Sequence, residues 1–139
     1  MHSYRLNPLT RLAELTFKAA DNASLTRQIR DLVDPAAKIR LSGRESDVDG
    51  YIRHVVELRS AMSHGVITVV EEIQEIPEDR EASGGLAIRV IVHMNMKDGA
   101  VVLGESHLVG RLGNGGRITR MVEIGRVIAD GDDQAESID

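Results

Sequence analysis

The sequence has no cysteine and very few aromatic residues: its 139 residues include two Tyr, one Phe and no Trp. Without cysteine, the chain can form neither a disulfide framework nor a thiolate zinc site. Three aromatic side chains are too few to form a surface on which the bases of single-stranded nucleic acid would stack. No apolar run is long enough to cross a bilayer, and residues 1–10 lack the apolar segment of a signal peptide. These absences predict a cytoplasmic protein that binds neither nucleic acid nor a membrane.

Composition and charge are those of an ordinary globular domain. Hydrophobic residues make up 42% and charged residues 28% of the chain, and the formal net charge is −5. An acidic balance gives no general attraction to nucleic acid or to an anionic membrane. We expect residues 1–128 to form one domain. Residues 129–139 are acidic and nearly devoid of large apolar side chains, so we expect a disordered tail there.

The first half of the chain carries helical patterns. Asn7 and Pro8 are a capping residue and a first-turn proline, which together predict a helix start. A second helix is expected to end before Pro35, because the residue preceding a proline avoids the helical region. Alternation at Lys38–Leu41 then predicts a short strand. The third helix is predicted over Ser46–Ser63, which begins with an acidic variant of the capping box.

The second half of the chain reads as four strands with no helix between them. The strongest turn signal is Asp98-Gly99, a dipeptide typical of tight hairpins. A polar stretch from Pro77 to Gly85 is expected to be the most mobile connection. The predicted strands are Val66–Ile76, Leu86–Lys97, Ala100–Leu112 and Arg117–Ile128.

Helices first and a strand meander last is the order of an α+β domain, with the helices packed on one face of a curved antiparallel sheet. A curved sheet of this kind usually encloses a pocket. In the second predicted strand, the face shared by Leu86, Val90 and Met94 is apolar, whereas Arg89 and His93 share the other face. We expect the apolar face to meet the helices.

The turn and strand at Asn114–Met121 resemble the "D/N-G-G/K-I-x-R" pattern of the nuclear transport factor 2 superfamily. The helix entry Asp49–Ile52, the two opening helices and the final meander also match, so the chain resembles the SnoaL-like branch over roughly residues 8–128. The resemblance implies a cone-shaped α+β barrel, in which a strongly curved, mixed, mainly antiparallel sheet wraps around the N-terminal helices. It also implies a homodimer through the sheet.

The superfamily includes ketosteroid isomerases, polyketide cyclases, epoxide hydrolases and non-catalytic binders, so the fold does not name a reaction. The isomerase residues do not carry over. Phe17 lies nearest the position of the oxyanion tyrosine, and residues 40–43 hold no carboxylate where the aspartate base would lie. Arg126 occupies the place of the acidic residue that cyclases carry in the last strand. No set of residues matches the Asp-Arg-Asp relay of an epoxide hydrolase.

Glu123 is the first candidate catalytic residue. It lies in the last strand between two apolar residues, and a carboxylate buried there would have a raised pKa and could serve as a general acid or base. Alternatively, Glu123 points away from the helices and pairs with Arg120, Arg126 or a partner subunit. The sequence leaves both orientations open.

His107 is the second candidate catalytic residue. It shares a strand face with Glu105, two residues away, and a carboxylate that orients an imidazole is half of an acid–base pair. The alternative is a polar outer face, which the nearby Arg111 favours. No His-x-His or His-x-x-x-His spacing indicates a metal site. The glycines at 113, 115 and 116 lead into a strand, so they form a turn and not a phosphate cradle, and we expect no cofactor.

Four further residues are predicted to contact a ligand: Tyr51, Val55, Phe17 and Met94. His54, at the edge of the apolar stripe of the third helix, is interpreted as a surface residue. Three functions stay open: a binder of a small apolar molecule, an acid–base lyase, isomerase or cyclase using Glu123 and His107, and a dimeric interaction module. The face on which Glu123 and His107 lie would discriminate between them.

Overall fold

The computed structural model describes residues 7–75, 84–113 and 115–129. Three helices pack on a six-stranded sheet that is strongly curled but not closed. This arrangement confirms the predicted α+β architecture with a mixed sheet. The elements are α1 (Pro8–Lys18), α2 (Asn22–Leu32), β1 (Val33–Leu41), β2 (Arg44–Ser46), α3 (Val48–Ala61), β3 (Met62–Gln74), β4 (Gly85–Met96), β5 (Val101–Leu112) and β6 (Ile118–Ala129).

The sheet has the strand order β2-β1-β6-β5-β4-β3. The last four strands form the predicted meander, each antiparallel to the next. The last strand, β6, also pairs with β1, and this pair is parallel. The sheet is therefore mixed but mainly antiparallel, and the helices cover one of its faces.

Side-chain caps begin all three helices. The Asn7 carboxamide oxygen accepts a hydrogen bond from the Leu9 amide at 2.9 Å, which confirms the predicted start of α1. At α3 the predicted cap is wrong by one residue: Asp47, not Ser46, accepts from the Gly50 amide at 2.8 Å. Ser46 is the last residue of β2, where its backbone pairs with β1.

The first strand is longer than predicted: it begins before Pro35 and includes it. β1 begins at Val33, directly after α2, and its register with β6 jumps between Val33 and Lys38. Proline has no amide hydrogen to donate to a ladder, so a bulge is a position that tolerates it. β3 is also longer than predicted and starts at Met62, because the backbone enters the sheet as soon as α3 ends.

The core lies between the helices and the concave face of the sheet. Leu86, Ile88 and Val90 of β4 are buried, which confirms the predicted apolar face. They meet Leu9 of α1 and Leu108 of β5 in one continuous hydrophobic cluster. We call the face that meets the helices the inner face, and the opposite face the outer face.

Two sequence predictions lie largely outside the described residues. They are the mobile connection at Pro77–Gly85, where residues 76–83 are not described, and the disordered tail at 129–139, of which only Ala129 is described. Within the described residues, none of the helices is both long and apolar enough to cross a membrane.

Candidate functional site

The inner face of the sheet and the helices α1 and α3 line a cavity of about 370 Å³ that is open to solvent on one side. This volume lies within the range of small-molecule sites. Most of its wall is apolar, and seven polar or charged side chains complete the lining: Thr16, Ser42, Tyr51, His54, Ser106, Glu123 and Arg126. The apolar lining residues are Ala13, Phe17, Leu58, Ile67, Val90, Val92, Met94, Leu108 and Val127.

Small residues leave the space that the cavity occupies. A Cβ atom at Gly65 of β3 would lie 2.7 Å from two ring carbons of Phe17 and 2.6 Å from the Met62 sulfur. The missing side chain therefore lets the Phe17 ring lie against the sheet as one wall of the cavity. Gly125 and Ser106 line the opposite side, on the adjacent strands β6 and β5.

The polar part of the cavity combines one carboxylate with two side chains of α3. Glu123 lies on the inner face of β6, opposite Leu108 of β5. Tyr51 and His54 of α3 line the same cavity, and since they are three residues apart they share one side of the helix. Ser42, in the turn after β1, donates its backbone amide to the Glu123 carbonyl at 2.8 Å.

Burial changes the pKa of two of these groups, Glu123 and Tyr51. It raises the pKa of the Glu123 carboxyl above its usual range, and the nearby His54 partly offsets that rise. Burial, together with the Glu123 charge, also raises the pKa of the Tyr51 hydroxyl. Tyr51 is therefore a neutral hydrogen-bond donor at physiological pH, and Glu123 is a carboxyl that holds its proton more tightly than an exposed one.

The polar atoms of Glu123 and Tyr51 are available to a ligand. Among the described residues, neither side chain makes a hydrogen bond. Every fully buried side-chain nitrogen or oxygen atom of these residues has a hydrogen-bond partner, so the polar atoms of Glu123 and Tyr51 are not fully buried. Both groups therefore reach the open space of the cavity. A carboxyl and a hydroxyl that face an apolar cavity can orient a bound molecule through its polar group.

The structure separates the two residues that the sequence analysis had paired. Glu123 lines the cavity, whereas His107 is exposed on the outer face of β5, opposite Ile124. Among the predicted ligand contacts, Phe17, Tyr51 and Met94 line the cavity. Val55 is instead buried in the core and does not reach it.

Glu105 orients two arginines and makes no hydrogen bond to His107. It is 4% exposed on the outer face, where Arg126 donates to it from Nε at 2.9 Å and Arg89 donates from the other side. The hydrogen bonds from Arg89 and Arg126 lower the pKa of the Glu105 carboxyl, although burial opposes this shift. The outward-facing ion pair that the sequence suggested for Glu123 is thus made by Glu105.

His54 is the cavity residue that the sequence analysis assigned to the surface. Its spacing of three from Tyr51 and four from Leu58 places it on the cavity side of α3, and that spacing is visible in the sequence. The described residues contain no group of three or more His, Cys, Asp or Glu side chains that could hold a metal ion.

No protein-family model matches the sequence, and no curated protein matches it either. Solved structures do match. A nuclear transport factor 2-like protein of unknown function from Exiguobacterium sp. 255-15 superimposes with a TM-score of 0.68 at 18% identity, over 86% of this chain and 98% of that one. A candidate aromatic ring hydroxylase from Novosphingobium aromaticivorans gives a TM-score of 0.63 at 20% identity, over 92% of this chain and 94% of that one.

A third structure, a candidate isomerase of the SnoaL-like family from Agrobacterium tumefaciens, gives a TM-score of 0.57 at 13% identity, over 85% of this chain and 94% of that one. These likenesses show that the chain has the nuclear transport factor 2-like fold, which is shared with SnoaL-like proteins. The resemblance expected from the sequence is confirmed at the level of the fold. Identities this low do not carry an activity from one protein to another.

Proposed function

We propose that this protein binds a small, mainly apolar molecule that carries one hydrogen-bonding group. The observation that supports this most is the Glu123 carboxyl, which faces a mainly apolar cavity without a hydrogen-bond partner from the described residues. The apolar body of the ligand would lie against Phe17 and Met94. Its polar group would meet Glu123 and the Tyr51 hydroxyl.

A second candidate function is acid–base chemistry on the same bound molecule. It is favoured by the raised pKa of Glu123 and by the exposed imidazole of His54, which lines the same cavity. In this form Glu123 moves the proton and Tyr51 orients the substrate. His107, on the other face of the sheet, has no part in it.

A fluorescence titration with 2-naphthol tests the binding proposal, because this probe is a compact apolar body with one hydroxyl donor. We expect saturable binding, and weaker binding of 2-methoxynaphthalene, which cannot donate a hydrogen bond. Ser106→Leu, which places an apolar side chain in the cavity, should reduce the affinity for both compounds. Equal affinities for the two compounds, together with an unchanged affinity in Ser106→Leu, would refute the proposal.

We also propose that two copies associate through the outer face of the sheet. The exposed apolar side chains of that face include Val66 at 50%, Val109 at 54% and Ile124 at 59%. They lie around the Arg89–Glu105–Arg126 ion pairs, whose carboxylate is already desolvated. Exposed apolar clusters rimmed by polar groups are typical of protein interfaces.

Sedimentation equilibrium at micromolar concentration should give twice the mass of the chain. Ile124→Asp should give the mass of one chain, because a charge at the centre of the interface would be buried without a partner. Val127→Asp, a matched change of an exposed side chain on the inner face of the same strand, should leave the dimer intact. A monomeric wild-type protein would refute the interface. The cytoplasmic location stays a prediction from the sequence.

A further inference from the structure

A second concave site lies at the other end of the sheet, between the β1–β2 hairpin and β6. It is a groove of about 530 Å³ and shares no lining residue with the cavity. Three of its lining side chains are cationic, Lys38 and Arg40 of β1 and Arg120 of β6, and one is a carboxylate, Glu45 of β2. All three cationic side chains are exposed. We call it the cationic groove.

The groove begins where the β1 bulge ends. Val33 of β1 lies opposite Ile118, yet the next paired residue of β1 is Lys38, opposite Arg120. The intervening segment of β1, which includes Pro35, therefore leaves the β1–β6 ladder. The two strands rejoin with their cationic side chains directly across from each other.

This arrangement of charge is unfavourable in the protein by itself. Like charges on paired residues of neighbouring strands repel each other. Arg40 is partly compensated by Glu45, which lies 3.5 Å away. In the ranges that the structure describes, neither Lys38 nor Arg120 makes an ion pair. The chain has 22 acidic and 17 basic residues, so a shortage of carboxylates does not explain the uncompensated pair.

We propose that the cationic groove binds a phosphate-bearing small molecule. Guanidinium forks bind phosphate oxygens through paired hydrogen bonds, and a lysine ammonium adds a point charge. A doubly charged phosphate would neutralise Lys38 and Arg120 together and would relieve their mutual repulsion. Arg40, on the same face of β1 as Lys38, lies where it can contact a second phosphate or the body of the ligand.

The test is a titration with inorganic pyrophosphate, followed by nitrogen-15 NMR at low ionic strength, with sodium chloride at equal ionic strength as the reference. We expect saturable shifts of the amides at 37–40 and 120–122, and of the Arg120 side-chain resonance. Arg120→Gln should weaken this binding by about tenfold or more, since it removes a charge-assisted contact. Arg27→Gln, which removes another exposed cation, from α2, should leave it unchanged.

Equal losses for Arg120→Gln and Arg27→Gln, or shifts spread over the surface, would overturn the proposal because they indicate general charge attraction. A thermal melt gives a second measurement. Without phosphate, Arg120→Gln should have a slightly higher melting temperature than the wild type, because the like-charge contact is gone. Pyrophosphate should raise the melting temperature of the wild type and not that of the variant. A variant that melts well below the wild type would assign Arg120 to stability instead. Binding of 2-naphthol should be unaffected, so this site succeeds or fails independently of the cavity.

Discussion

Glu123→Gln is expected to weaken 2-naphthol binding by about tenfold, because the carboxamide oxygen of Gln is a neutral acceptor and makes a weaker hydrogen bond than a carboxylate does. Binding of 2-methoxynaphthalene should hardly change, because that compound has no hydrogen to donate to the carboxylate. The substitution keeps the size of the side chain, so the shape of the cavity is preserved. Glu57→Gln, an exposed change on α3, is the matched control and should affect neither compound.

The same substitution should alter how stability depends on pH. Since the pKa of Glu123 is raised, the folded protein holds this proton more tightly than the unfolded chain does. Its contribution to the free energy of unfolding is therefore largest below the ordinary carboxyl pKa and declines as the pH rises through the raised value. Gln has no proton to lose.

The difference in unfolding free energy between Glu123→Gln and the wild type should therefore grow in favour of the variant across that pH window and then level off. The lowered pKa of Glu105 acts in the opposite direction, but it is common to both proteins and cancels in the difference. Urea unfolding at a series of pH values measures this. A difference that is flat with pH would place Glu123 in solvent and not in the cavity wall.

Arg59→Ala is expected to lower the free energy of unfolding by about 2–4 kcal/mol, because the guanidinium joins all three helices. From α3 it donates to the carbonyls of Leu15 and Thr16 at 3.2 and 3.1 Å and to that of Ala19 at 2.9 Å. Its Nε also donates to the Asn22 side chain, at the start of α2, at 3.1 Å. It caps the carbonyl end of α1 and supplies a cation there.

Urea unfolding of two variants separates the role of the fork from that of the charge. Arg59→Lys keeps the cation but cannot reach all the acceptors at once, so it should lose an intermediate amount. Arg53→Ala, an exposed change one and a half turns earlier on α3, should cost less than about 0.5 kcal/mol. If Arg59→Lys equals the wild type, charge alone is sufficient and the network is not needed. Loosening α1 from α3 should also weaken ligand binding, since both helices form the cavity wall.

The sequence predicts the elements whose signals are local. Asn7 and Pro8 begin α1 as expected, and Asp98-Gly99 forms the predicted turn, with a φ of 94° at Gly99. Pro35 misleads because a proline can end a helix or sit in a strand bulge, and only the pairing of β1 with β6 decides between them. That pairing joins residues some eighty positions apart, so no short window of sequence contains it.

The sequence predicts only part of the site, because the rest depends on contacts between residues that are distant in the sequence. Alternation shows that Glu105 and His107 share a face, but it does not tell which face meets the helices. That choice depends on Arg89 and Arg126, which belong to the neighbouring strands and bind Glu105 on the outer face. His54 was within reach of the sequence, because its helical spacing from Tyr51 is local.

The position of a bound ligand tests the central claim most directly. Intermolecular nuclear Overhauser effects should be measured between 2-naphthol and the protein with labelled methionine methyl groups and a labelled Phe17 ring. The cavity assignment predicts contacts from the naphthalene ring to the Met94 methyl group and to Phe17, and their loss when 2-naphthol is displaced. Contacts confined to the outer face, at Ile124 or Val109, would contradict it.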